Sequence, residues 1–181
     1  MRSREFAATP LEIASLLRAL TACGLVVTLA ACASGHSDVG ASRETRQLML
    51  SIVATREVNP DDTGRAAPIL VRVYELSNDD AFESADFFSL RDKEKVVLGD
   101  QILVREEFLL RPGDARVIRR TANPQTRAIG IVAAYRDLPH SVWRASYALQ
   151  PAPTAVWYRR GDTIELNIEL GAAAVKVSEH K

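Results

Sequence analysis

The feature that most constrains this chain is the run Ile164-Glu165-Leu166-Asn167-Ile168-Glu169-Leu170, in which apolar and polar residues alternate without a break. Successive side chains of a strand point to opposite faces, so a strict period of two means one buried face and one wet face. Such a segment cannot satisfy its apolar side or its backbone alone, and it demands a sheet with something packed on it. The same pattern recurs along the chain. Leu48, Leu50, Ile52 and Ala54 alternate within Gln47 to Thr55, and Ile69, Val71 and Val73 share a face in Ile69 to Leu76, with Arg72 on the other. Further strands are expected over Ile102 to Leu110, Ala115 to Thr121 and Val142 to Leu149, the last with Trp143, Ala145, Tyr147 and Leu149 on one side. Ala128 to Tyr135 is almost wholly apolar and reads as a central strand covered on both faces. Ala173, Val175 and Val177 complete a set of eight after the turn at Gly171.

Turn chemistry separates these runs. Arg111-Pro112-Gly113-Asp114 suits a type II turn, with Pro and Gly at its centre. Arg56-Glu57-Val58-Asn59-Pro60-Asp61-Asp62-Thr63-Gly64-Arg65 is longer than a hairpin needs; long loops in compact domains are often functional, and a solvated connector accounts for the composition equally well. One departure interrupts the strands: Ser84 to Asp92 reads as a short helix, with Ser84 as cap and Asp86 in the first turn. Lys93 to Asp100 reads as a charged connector. Eight short strands with one helical insertion predict an all-β, two-sheet antiparallel β-sandwich.

The N-terminal segment has to be removed from this argument. Arg2, Arg4 and Arg18 precede an apolar run from Ala19 to Ala31, too short to span a bilayer, which takes about 20 residues. Leu29-Ala30-Ala31-Cys32 resembles the lipobox of bacterial lipoproteins. That resemblance implies cleavage before Cys32, lipid on its sulfur, and acylation of the new amino terminus. Ala33 and Ser34 after the cysteine, rather than Asp, imply the outer membrane, with the head in the periplasm. The expected organisation is a signal peptide over 1–31, a lipidated tether over 32–46 rich in small polar residues, a sandwich over 47–178, and a tail over 179–181.

Removing three arginines and two glutamates with the leader takes the totals from 23 and 23 to 20 basic and 21 acidic residues. This balance does not suit a nucleic-acid binder, which needs a strongly basic face. Cys23 leaves with the leader and Cys32 is the anchor, so the head has neither a disulfide nor a thiolate metal site. The 150 residues that remain suit one domain. Catalytic patterns are absent: His36 lies in the tether, His180 in the tail and His140 beside Pro139, and there is no phosphate loop or nucleophile elbow. Asp61 and Asp62 form one acidic pair in a loop, for which a solvated turn is the simpler account than a cation site. The expectation is a protein that is not an enzyme and holds no cofactor other than covalent lipid on Cys32.

Several stretches in order carry a more specific likeness: Val58-Asn59-Pro60-Asp61 with Gly64-Arg65, Val71-Arg72-Val73-Tyr74-Glu75-Leu76, Ala85-Asp86-Phe87-Phe88-Ser89-Leu90, Leu98-Gly99, Pro112-Gly113, and Ile131-Val132-Ala133-Ala134-Tyr135-Arg136-Asp137 followed by Trp143-Arg144. Behind a lipobox, this combination resembles the TssJ (SciN, VasD) outer-membrane lipoproteins of type VI secretion systems, over residues 47 to 178. The resemblance implies a transthyretin-like sandwich of two four-stranded sheets with a small helical addition after the second strand. It also implies a role: anchoring the envelope-spanning complex by binding the periplasmic C-terminal region of TssM, which works with TssL. It assigns that contact to the loop between the first two strands, here about Arg56 to Ala67. Asn59, Asp61, Asp62 and Arg65 are the candidate contacts, as polar residues expected to be exposed; Pro60 and Gly64 are expected to shape the loop. The competing expectation is a periplasmic small-ligand or cell-wall binding lipoprotein, with a pocket lined by aromatics such as Trp157 and Tyr158.

Overall fold

The computed structural model describes residues 46–150 and 163–180. The leader, Cys32, nearly all of the tether, Trp157 and Tyr158 lie outside the described residues. The strands among those described are β1 (Gln47–Ala54), β2 (Ile69–Leu76), β3 (Ile102–Leu110), β4 (Ala115–Thr121), β5 (Ala128–Ala133), β6 (Arg144–Ala148), β7 (Thr163–Leu170) and β8 (Val175–Glu179). They form two four-stranded sheets, ordered β4-β1-β7-β8 and β3-β2-β5-β6.

The alternation does what it promised. Leu48, Leu50, Ile52 and Ala54 of β1 are buried against Ile164, Leu166, Ile168 and Leu170 of β7, and Ile69, Val71 and Val73 of β2 close the same core from the facing sheet. Full burial of each such side chain contributes about 1.5–3 kcal/mol, so these rows dominate the stability of the sandwich. One expectation needs qualification. Five strand pairings are antiparallel, but β1 runs parallel to β7, from Gln47 beside Thr163 to Ala54 beside Leu170. A parallel neighbour needs a long crossover rather than a hairpin, and most of the chain separates these two strands. Period-two patterning fixes which face is buried, not which strand lies alongside.

A second apolar cluster lies on the outer face of the β3-β2-β5-β6 sheet. Here α1 (Asp80–Ser84), α2 (Phe87–Asp92) and α3 (Glu94–Val97) bring Phe82, Phe87 and Leu90 onto Tyr74, Leu76 and Val132. Every residue of β5 is therefore buried, as expected for a strand covered on both sides. Gly130 is required by this contact: a Cβ there would stand 2.8 Å from Phe82 Cζ. The insertion differs in detail from the expectation. Ser84 ends α1 instead of capping a helix, and Asp86 is the cap of α2, its Oδ1 accepting from the Ser89 amide at 3.0 Å. The stretch expected as a charged connector holds α3 and a 3-10 turn, both too short to show helical periodicity in sequence.

The sandwich has two distinct ends. The chain enters at Arg46, and this end carries the starts of β1, β5 and β7 and the ends of β2 and β4. The opposite end gathers the β1–β2 loop, the β3–β4 turn, the β5–β6 segment and the β7–β8 turn. Eight residues of β1 at about 3.3 Å each put roughly 25 Å between the two. Gly113, at φ +84°, shapes the β3–β4 turn and donates to Ala54 O at 3.0 Å, which ties that turn to the root of the β1–β2 loop.

Candidate functional site

The β1–β2 loop is a built structure and not a slack connector. The Val58 amide donates to Thr55 O at 3.2 Å, and Ala67 N returns to Val58 O at 3.1 Å, closing the base. Asp61 N donates to Arg65 O and Gly64 N to Asp61 O, both at 2.8 Å, closing the tip. Val58 is fully buried and anchors the base in the core.

Asp61 organises the tip. Its Oδ1 accepts from Thr63 Oγ1 at 2.6 Å, Thr63 N at 2.9 Å and Arg65 N at 3.0 Å, and its Oδ2 accepts from Arg65 Nε at 3.0 Å. The Thr63 hydroxyl first, and then the Arg65 amide, hold the Asp61 carboxyl down at about 2. Hydrogen bonds to the charged form are the reason. Gly64, at φ +80°, takes a conformation that side chains resist, and so shapes the loop as expected. Asp62 and Arg65 are exposed; Asp61 is largely spent on the loop itself, with 18% of its side chain accessible.

Asn59 departs from expectation: it is buried, at 3% accessibility. Its Nδ2 donates to Pro68 O at 2.8 Å, and its Oδ1 accepts from the Arg136 amide at 2.8 Å. The residue sits at φ +50°, a left-handed conformation that Asn tolerates better than most residues, and it does so directly before a proline, which disfavours helical backbone. Such a conformation persists where surrounding bonds fix it. Here those bonds join the β1–β2 loop to the β5–β6 segment. The Asn-Pro pair advertised a turn, but nothing local in sequence showed that the amide would be spent on a residue far along the chain.

The β5–β6 segment is the part of this end that sequence reasoning passed over. Tyr135 is buried, and its hydroxyl donates to Gly171 O at 3.2 Å; burial pushes the phenol well above its ordinary range. Asp137 Oδ1 and His140 Nδ1 lie 2.8 Å apart at the surface. Val142 N donates to Ala173 O and Val175 N to Val142 O, which fastens the segment to the β7–β8 turn. Between Pro60, Asp61 and Asp62 on one side and Arg136, Asp137 and His140 on the other lies a cleft of about 450 Å³. Among the described residues no group of three or more His, Cys, Asp or Glu is placed to hold a metal ion.

The described residues thus form a small sandwich whose elaborated loop cluster lies at the end of the sheets opposite Arg46. Comparison with known proteins makes the assignment particular. Residues 46–173 match the family of type VI secretion lipoproteins described as VasD, EvfM, TssJ and VC_A0113, and the chain belongs to that family. The T6SS lipoprotein TssJ1 from Pseudomonas aeruginosa is 39% identical, with a TM-score of 0.67 over 76% of this chain and 98% of that one. Lip from Serratia marcescens, a membrane-bound component of the type VI secretion system, is 32% identical, with a TM-score of 0.68 over 76% and 99%. A chain in the structure described as the T6SS protein TssM C-terminal domain from EAEC shares the fold, at 21% identity and a TM-score of 0.57 over 72% and 99%. The comparison with curated protein sequences gave no match.

Proposed function

We propose that this protein is the outer-membrane anchor of a type VI secretion membrane complex, held by lipid on Cys32, and that its head docks the periplasmic C-terminal region of TssM and, through it, TssL. It acts by holding and carries no chemistry of its own. The observation that carries this reading is the polarity of the sandwich. The chain enters at Arg46, while the β1–β2 loop lies about 25 Å away at the far end of β1. A head tethered by its N-terminus is free to present the loop away from the membrane, toward a partner reaching across the periplasm. Asp62 and Arg65 at the tip are exposed and suited to direct contact, Asp61 and Gly64 set the loop's shape, and Asn59 sets its position. Several acyl chains, at about 0.8 kcal/mol per buried methylene, make such attachment nearly permanent.

Two measurements test this. Cell fractionation of Cys32→Ser should move a folded head from the outer membrane to the soluble periplasm and abolish secretion; a variant that still fractionated with the outer membrane would refute the anchor. Calorimetry of the full lipoprotein in detergent against the TssM region encoded alongside it should show binding. Replacing residues 60–66 by Gly and Ser, which spares the buried Val58 and Asn59, should abolish it.

A further inference from the structure

We infer that the docking surface has two banks, and that the second is the β5–β6 segment Arg136–Ser141. This rests on the reading that the β1–β2 loop is a docking site, and extends it to residues the loop does not contain. The cleft between the banks, about 450 Å³, is of the size that commonly receives a ligand group. Its charged groups divide into two kinds. Asp61 is bound to Thr63 and Arg65, and Asp137 to His140. Asp62 and Arg136 are exposed, and among the described residues neither side chain has a hydrogen bond or ion pair. One unspent charge of each sign thus faces the same opening, one on each bank, and the two do not pair with each other.

The occupant this fits is a polypeptide segment of the docking partner with an acidic side chain set against Arg136 and a basic one set against Asp62. Opposite charges on opposite banks fix which way round such a segment lies, which gives specificity as well as affinity. The walls between them include Pro60, Ala172 and Ala173, small enough to admit the aliphatic stems of those side chains. Asn59 is the positioning residue. It touches both banks, through Pro68 O and the Arg136 amide, and so sets the width of the cleft.

The test is calorimetry of the full lipoprotein in detergent micelles against the periplasmic TssM region, at low and at physiological salt, with each variant first shown to be folded at the temperature of the titration. Arg136→Glu and Asp62→Lys should each weaken binding by about tenfold or more. The loss should shrink as salt screens the exposed charges. Asn59→Gly keeps the left-handed backbone and both charges but removes the bridge, and it too should weaken binding. It should also speed hydrogen exchange at the Arg136 amide, which loses its acceptor. Wild-type affinity in Arg136→Glu and Asn59→Gly, with binding lost when residues 60–66 become Gly and Ser, would overturn the second bank and leave the loop reading standing. Undiminished binding by the Gly/Ser loop variant would overturn both.

Discussion

The two ends of the sandwich use charge in opposite ways. At the loop end the charges lie at or near the surface, wired within a few residues of each other, and partly unspent. At the entry end a carboxylate is sealed in. Glu75 is fully buried, yet its Oε1 accepts from Arg120 Nε at 2.6 Å and its Oε2 from Thr126 Oγ1 at 2.6 Å and the Asn123 amide at 2.8 Å. Arg120 reaches on to Glu106, and Arg116 joins Glu106 from the other side at 3.6 Å. This network stitches β2 and β3 of one sheet to β4 of the other and has no group turned to solvent at its centre. A buried carboxylate bonded at both oxygens rigidifies a fold, even though Arg120 Nη2 is itself buried without a hydrogen-bond partner, whereas unspent surface charge is available to something else. Function should therefore be insensitive to the Glu75 network until the fold fails, and stability should be insensitive to the loop charges while docking fails.

Breaking the buried network has the largest expected effect. Glu75→Ala leaves Arg120 with Glu106 alone and strands the Thr126 hydroxyl and Asn123 amide. Removing one member of a buried pair costs about 3–5 kcal/mol. At roughly 2–4 °C per kcal/mol for a domain of this size, thermal unfolding should shift down by about 10 °C. The molecules still folded should bind TssM normally. Gly130→Ala comes next. The added methyl meets the Phe82 ring with the β5 backbone behind it, and overpacking of this kind costs about 1–3 kcal/mol. Denaturant midpoints would show it, again with docking unchanged. If either variant lost docking while still folded, the division between the two ends would be wrong.

Much of the contrast was readable in advance and some was not. The β1, β2 and β7 rows gave their buried faces directly, because alternation is a local signal. By the same parity Glu75 falls on the inner face with Val71 and Val73, so its burial was implicit in the β2 pattern. Its partners were not, since Arg120 and Thr126 come from a different strand and a distant loop. The β1–β2 loop stood out by length and turn residues, and Gly64 took the shaping role expected of it. Asn59 went the other way, from expected contact to internal brace, because a polar residue in a loop looks the same in sequence whether its amide meets water or another loop. The Arg136–Ser141 bank was hidden for that reason too: it becomes part of a site only when folding sets it opposite Asp62.

The smallest effects lie at the loop tip, and they sharpen the comparison most. Arg65→Ala removes an ion pair whose arginine is 81% exposed, so it should cost no more than about 1 kcal/mol. Acid should act through Asp61. Its carboxyl is lowered from 3.8 to about 2, so the order it lends the tip is fully present above about pH 4 and is lost as pH falls through about 2. Followed by NMR, the Thr63 and Arg65 amide resonances, which report the carboxylate as acceptor, should move together with a midpoint near 2. The Asn59-bound Arg136 amide should hold its position until the whole domain unfolds, since neither end of that bond titrates. A common midpoint for all three amides would mean that tip and brace melt as one unit, and the loop would then be a single rigid key and not an acid-sensitive tip carried on a fixed brace.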